Sequence, residues 1–276
     1  MNRISFSTGA ICSRWLLRLL LASSVLALGA CASTGDTDIT ATWSAAKLYR
    51  EASDEMANGA YDTATKYFEK LESRYPYGIL AQQALMEVAY GYYKQGERAQ
   101  AVAACDRFLK IYPNNPYVDY MLYLKGLSNF YANQTVFTQL ADQAAYERDQ
   151  RGAKASYEAF RDLVTRFPDS KYSNDARERM RYIVNSLGQY DAHVALFYFN
   201  RGAYVAAADR AQETLREYPD TPSTQLALGV LMNSYDRLGL TQLRDDTQRV
   251  LRLNYPQSPY LSGPLPANHP SWWRLW

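Results

Sequence analysis

The residue with the clearest chemistry is Cys31, in the run Leu28-Gly29-Ala30-Cys31. Leucine three positions before a cysteine, with small residues between, is a lipobox pattern. The thiol is the group that is acylated, and the small residues let a peptidase reach the backbone beside it. What precedes the box has the order of an export signal. Arg3, Arg14 and Arg18 form a basic stretch, and Leu19 to Leu28 is an apolar run too short to persist as a membrane-spanning helix. Residues 1–30 are therefore read as a removed leader and Cys31 as the lipidation site. A diacylglyceryl group plus an amide-linked chain anchors a protein stably to a membrane. Ala32 and Ser33 follow, with no Asp at the next position to hold the chain at an inner membrane, so the expected location is the periplasmic face of the outer membrane.

Beyond Cys31 the sequence offers no catalytic or metal-binding constellation. It contains no H-E-x-x-H, no paired Cys-x-x-Cys, no G-x-S-x-G and no Gly-rich loop after a strand. His193 lies amid Val194, Ala195 and Leu196 and reads as structural, while His269 falls in the tail. Cys12 leaves with the leader, so Cys105 has no intramolecular partner; its place on an apolar stripe marks it as a small buried hydrophobe. No catalytic residue, metal or cofactor is expected. Removing the three leader arginines from 30 basic side chains leaves 27 against 28 acidic ones, a near-neutral chain with no electrostatic case for nucleic acid.

The elements that carry the remaining side chains announce themselves as a repeat. An aromatic-Pro dipeptide recurs at Tyr75-Pro76, Tyr112-Pro113, Phe167-Pro168, Tyr218-Pro219 and Tyr255-Pro256, in steps of 37, 55, 51 and 37 residues. Four of these lie 16 residues after a glycine (Gly59, Gly96, Gly202, Gly239); in the third unit Arg151 holds that slot, with Gly152 beside it. Between glycine and proline the apolar residues keep helical spacing: Tyr61, Ala64, Phe68, Leu71 and Tyr75 in the first unit; Ala101, Cys105, Phe108 and Tyr112 in the second; Ser156, Phe160, Leu163 and Phe167 in the third; Tyr204, Ala207, Ala211 and Tyr218 in the fourth. Glycine permits the tight turn into each helix and proline ends it. Ala-rich helical stretches such as Gln82–Lys94 and Thr224–Leu238 fill the intervals.

Such a unit cannot bury its apolar face alone and must stack on its neighbours. The predicted fold is therefore all-α, a tetratricopeptide-type helical-repeat solenoid of about five helix pairs. In the fifth unit Arg244 and Gln248 break the stripe, as a polar terminal cap would. Residues 133–150 read as an insertion, and Tyr172–Arg201 as a long helix joining two groups of repeats. The expected organisation is a leader (1–30), a lipidated linker (31–42), repeats one to three (43–171), the joining helix with repeats four and five (172–256), and a Pro/Trp-rich tail (257–276). Regular structure is not expected in that tail. Trp272, Trp273 and Trp276 suit either a membrane interface or partner groove, or packing back on the last helix.

The 24 tyrosines are the other outlier. Many belong to the stripes, but Tyr75, Tyr77, Tyr90, Tyr92, Tyr93, Tyr117, Tyr120 and Tyr123 cluster around turns and first helices. First helices build the concave face of such a solenoid. Tyrosines there offer contact area at low entropic cost and a polar end, which suits an extended peptide with alternating aromatic side chains.

The lipobox, the five pairs and the runs Arg74-Tyr75-Pro76-Tyr77-Gly78, Tyr92-Tyr93-Lys94, Asp106-Arg107-Phe108, Asp119-Tyr120, Gly126-Leu127, Arg201-Gly202-Ala203-Tyr204-Val205-Ala206 and Tyr218-Pro219-Asp220-Thr221 resemble the BamD family of outer-membrane β-barrel assembly lipoproteins. The likeness spans nearly all of residues 31–256, and the tail after Pro256 has no counterpart in it. It implies a non-enzymatic component of the machine that inserts β-barrels, held at the membrane by its lipid. Its C-terminal repeats would dock the periplasmic domains of the barrel subunit BamA. Its N-terminal repeats would receive unfolded outer-membrane proteins and assembly lipoproteins such as the extended BamC. Carried over by position, Tyr75 and Gly78 fall in the substrate region, Arg107 where BamC is bound, and Arg210 at a place linked to BamA. Asp119, Tyr120 and Tyr123 complete the expected groove. Both arginines lie beside their helix's apolar stripe, open to charge-assisted contacts. The rival reading is a lipoprotein scaffold for peptidoglycan or cell-division proteins. An enzyme would need a further globular domain, which Gln257–Trp276 is too short to supply.

Overall fold

A computed structural model of the chain describes residues 38–130 and 150–266, and its contacts divide the chain into two units, residues 1–43 and 44–276. Cys31, most of the proposed 133–150 insertion, His269 and the tail tryptophans lie outside the described residues. In the first unit, residues 38–43 make a short turn in which Thr40 donates from both its backbone N–H and its hydroxyl to Asp38 Oδ1, at 3.1 and 2.6 Å.

In the second unit the described residues form ten helices and no strand. They are α1 (Ala45–Ala57), α2 (Tyr61–Arg74), α3 (Ile79–Gln95), α4 (Arg98–Ile111), α5 (Val118–Phe130), α6 (Gln150–Arg166), α7 (Ser173–Asn200), α8 (Tyr204–Glu217), α9 (Thr224–Arg237) and α10 (Thr241–Asn254), followed by one 3-10 turn, Pro259–Leu261. They pair as read from the repeats, with α1, α3, α5, α7 and α9 as first helices and α2, α4, α6, α8 and α10 as second. Each helix packs on the next in sequence. First helices also pack on first helices, α1 on α3, α3 on α5 and α7 on α9, whereas second helices are held further apart. The first helices thus form the tighter, inner side of a tetratricopeptide-type solenoid.

The punctuation works as its chemistry requires. Gly59, Gly96, Gly202 and Gly239 take φ of +80, +79, +77 and +73°, left-handed backbone that side-chain-bearing residues avoid. At the other end each second helix ends two residues before proline. Tyr75, Tyr112, Tyr218 and Tyr255 hold φ between −124 and −137° and ψ between 57 and 67°, out of the helical region that proline denies its predecessor. The last helical N–H at these sites still finds its carbonyl: Tyr75 to Leu71 at 2.8 Å, Tyr112 to Phe108 at 2.8 Å, Phe167 to Leu163 at 2.8 Å. In the third pair Arg151 lies inside α6, which begins at Gln150, so no left-handed turn stands at that slot.

The stripes are the core. Ala64, Phe68, Leu71, Ala101, Cys105, Phe108, Phe160, Leu163, Ala207 and Ala211 have no exposed surface, and Ser156 is equally buried with its hydroxyl donating to the Gly126 carbonyl at 2.8 Å. Long α7 packs on α6, α8 and α9. The terminal helix α10 buries only Thr247 and Leu251. Its outer side is mixed rather than purely polar, because Leu243, Val250 and Leu253 stand exposed beside Arg244 and Arg249. The tail's first part also differs from expectation: it forms the 3-10 turn and packs back on α9.

Close approach of α5 and α6 depends on Gly126. A β-carbon there would fall 2.6 and 2.8 Å from Cδ1 and Cζ of the fully buried Phe160 ring. Gly126→Val is therefore expected to destabilise the fold by roughly 1–3 kcal/mol, the usual cost of overpacking. The measurement is the urea midpoint, and an unchanged midpoint would mean the ring swings aside freely.

Candidate functional site

The inner side carries the tyrosines. Tyr49 of α1, Glu87 and Tyr90 of α3, Tyr120 and Tyr123 of α5 and Tyr172 just before α7 follow one another along it. Tyr123 stacks on Tyr172 with ring centroids 4.8 Å apart and lies 5.9 Å from Phe160; Tyr120 lies 5.7 Å from Tyr172. The Tyr123 hydroxyl donates to Asp175 Oδ2 at 2.6 Å, and Arg179 Nε reaches the same oxygen at 2.5 Å. Burial and that hydrogen bond push the Tyr123 phenol up to about 12. Although burial opposes it, the Asp175 carboxyl is held below its usual range by Arg179 and Tyr123. Asp119 fixes the start of α5: its Oδ1 accepts from the Tyr120 N–H at 2.7 Å and its Oδ2 from the Ser170 hydroxyl at 2.6 Å. Asp119, Tyr120 and Tyr123 thus form one cluster, with Asp119 as its positioning member.

Glu87 was not anticipated. A glutamate in a helix reads as a solvated face, and the only signal was its place among Ala84, Leu85 and Val88, all buried. Its carboxylate lies between Tyr49 and Tyr120 and raises the pKa of both phenols, after their own burial. Burial alone raises the pKa of Glu87, and among the described residues no cation or hydrogen-bond donor is paired with it. The inner side is thus a half-buried aromatic strip with one poorly solvated negative group. Such a strip fits extended backbone, aromatic side chains and a positive group.

Tyr75 and Gly78 lie elsewhere, on the turn from α2 to α3. Tyr75 is partly exposed, its neighbours Tyr77 and Ile79 are 91% and 72% exposed, and Gly78 takes φ of +97° with open space where a β-carbon would be. The next such turn presents Ile111 and Tyr117, and Asn115 there donates to Gln82 of α3 at 2.9 Å, tying the two turns together. The result is an apolar edge along the first three pairs.

Arg107 is on the outer side and joins neither group. Its guanidinium donates to Glu72 of α2 at 2.8 Å and borders a cleft of about 260 Å³ with Glu69 and Ser73. Tyr92 donates to Glu69 Oε1 at 2.5 Å, a bond that, with burial, pushes its phenol up to about 12. Arg107 is therefore already engaged between two repeats, and a partner would meet it as part of an ion pair. Arg210 stands on α8, half-exposed, with Nη1 3.0 Å from Glu213 Oε2 one turn on. Among the described residues no helix is long and apolar enough to cross a membrane, and no three His, Cys, Asp or Glu side chains group as metal ligands.

Comparison with known proteins adds the family. The model of the YfiO family, described as an outer membrane lipoprotein, matches residues 42–251. The outer membrane protein assembly factor BamD of Neisseria meningitidis serogroup B is 44% identical over 262 residues, 94% of this chain and 98% of that protein. The same factor from Xylella fastidiosa strain Temecula1 is 35% identical, covering 90% of this chain and 84% of its own length. That of Vibrio cholerae is 34% identical, covering 75% and 86%. Among solved structures, a chain of TPR-like repeats from Podosopora anserina aligns over 75% of this chain with TM-score 0.36 and 12% identity; the fold rests on the helix pairs above and not on that likeness.

The buried carboxylate gives a pH-dependent expectation. A carboxyl whose pKa is raised by folding favours the acid form in the fold, so its charge costs stability at neutral pH and the cost vanishes as pH falls below the unfolded value, here 4.5. Glu87→Gln should therefore melt higher than the parent at pH 7 and alongside it below pH 4.5. Equal melting at both pH values would remove Glu87 from the account.

Proposed function

The chain belongs to the BamD family of outer membrane protein assembly factors, and on that premise we propose that it works there by binding rather than by catalysis, as a lipid-anchored adaptor between unfolded β-barrel precursors and the insertion machine. The observation that carries this reading is the tyrosine strip on the inner side of α1, α3 and α5, ending at Tyr172.

An unfolded precursor presents extended backbone whose alternate side chains face one way. Tyr120 and Tyr123 offer ring faces for aromatic side chains. Their rigid rings lose little entropy on contact, and Asp175, itself held by Arg179, fixes the Tyr123 hydroxyl in advance. The poorly solvated Glu87 gains from a positive group or backbone N–H donors. The apolar edge at Tyr75, Tyr77, Gly78 and Ile79 extends the contact surface toward the turns.

Two other surfaces carry the partner side of the proposal. The Arg107–Glu72 pair and its cleft suit an extended lipoprotein segment such as BamC lying across the outer side. Arg210 suits the periplasmic domains of BamA: its bond to Glu213 is a surface i,i+3 pair, weak enough to exchange for an interface partner. Cys31, acylated, would hold these surfaces at the periplasmic face of the outer membrane.

The reading is tested by affinity purification of the lipidated protein from solubilised outer membranes. BamA is expected at near-equal amount, and Arg210→Glu should lower its recovery at least about tenfold, about 1.4 kcal/mol, with helicity unchanged. Recovery of peptidoglycan-bound or division proteins without BamA would overturn the function. For the inner side, photo-crosslinking of a precursor peptide should fall about tenfold or more in a Tyr120→Ala/Tyr123→Ala chain that keeps its helical signal, as for buried aromatic anchors elsewhere. Undiminished crosslinking would exclude the strip as the binding surface.

A further inference from the structure

Helix α9 is buried on every side: from Leu226 to Met232 each successive residue is buried. Its helical neighbours α7, α8 and α10 account for part of this. The side they leave open is covered by the chain itself, which returns after α10. Tyr260 and Leu265 pack on the α7–α8–α9 core, over Gly229. Asn200 Nδ2, at the end of α7, donates to the Pro266 carbonyl at 3.2 Å.

The seat is shaped for this occupant. A β-carbon on Gly229 would lie 2.8 Å from Tyr260 Cβ, 3.0 Å from its Cγ and 3.3 Å from Leu265 Cδ2, so the absence of a side chain at Gly229 makes the floor. The occupant has the form of a bound peptide. From Leu261 to Pro266 its residues alternate between half-buried and exposed, as an extended chain does on a surface. Its backbone bonds are local, Leu261 N–H to Ser258 and Gly263 N–H to Pro259, at 3.2 and 3.0 Å. Gln257–Pro266 carries no charged side chain and three prolines. Among the described residues, therefore, packing and the Asn200 bond attach it, with no ion pair. Proline stiffens such a segment before it binds, which lowers the entropic cost of docking.

We propose that this side of α9 is a binding seat for an extended, uncharged, proline-containing segment with an aromatic ring and, five residues on, an aliphatic side chain. Tyr260–Pro266 is its resident occupant, and a partner segment of the same chemistry displaces it. The seat is separate from the tyrosine strip and does not rest on the strip's binding precursors. Tethering gives the resident a millimolar-scale effective concentration, so a partner competes only for the fraction of time the seat is open. The chain thereby keeps the apolar seat covered until such a partner arrives.

The probe is a labelled synthetic peptide copying Gln257–Pro266, titrated into the full chain in detergent and followed by fluorescence anisotropy. Binding is expected to be weak to the unmodified chain and at least about tenfold tighter to the Tyr260→Ala/Leu265→Ala chain, whose own segment competes poorly. Adding Gly229→Leu should abolish the gain by filling the seat. Equal binding to the unmodified and doubly substituted chains, or no loss on adding Gly229→Leu, would overturn the proposal. A second measurement avoids substitutions: excess peptide added to the unmodified chain should speed hydrogen exchange at the Leu261 and Gly263 amides and leave α9 protected. Unchanged exchange at those two amides would likewise overturn it.

Discussion

The stack depends on how closely two helices approach at one small residue in each of the first four second helices. Ala64, Ala101, Ser156 and Ala207 stand at the same distance before their aromatic-Pro stops, and none has exposed surface. A larger side chain there would hold the paired helix away, and the Phe and Leu side chains one and two turns on would lose their contacts. The left-handed glycine turn and the proline stop serve this approach by fixing helix length, so the small residue always meets its neighbour at the same height. Tight packing among first helices and looser spacing among second ones then gives the solenoid an inner side.

Function in this architecture is a matter of what the inner and edge surfaces present, since a repeat stack has many equivalent positions and few enclosed ones. The inner side concentrates phenols around a poorly solvated carboxylate, the turns present an apolar edge, and the outer side is laced by ion pairs such as Arg107–Glu72. If the chain binds unfolded precursors as proposed, this division serves it. Contact area is spread along a line, and no single subsite has to be strong. The hydrogen bonds around Asp175 hold Tyr123 in one arrangement.

Much of this was legible in the sequence because glycine and proline act locally. The second helices, their stops and their buried stripes follow from residues within one segment. The third pair is the exception: its slot carries Arg151, and nothing local reveals that the helix is already under way at Gln150. What escaped was decided by partners far along the chain. Arg107 finds Glu72 35 residues back, and Tyr123 finds Asp175 52 residues on. Glu87 looks like any solvated helix glutamate until α1 and α5 close on it. The return of Tyr260–Pro266 onto Gly229 escaped for the same reason: proline-rich composition argues against regular structure but says nothing about packing.

Cys105 sits on the α4 stripe with no exposed surface, and burial pushes its thiol up to about 12. Thiol reagents attack the thiolate and need access to it, so this sulfur is silent while the second pair is closed. With residues 1–30 removed and Cys31 acylated, as proposed above, it would also be the sole remaining free thiol. Its alkylation rate is then a clock for local opening at one known place in the stack. Whether a precursor, bound as proposed, tightens or loosens the N-terminal repeats becomes a question of how fast a single atom reacts.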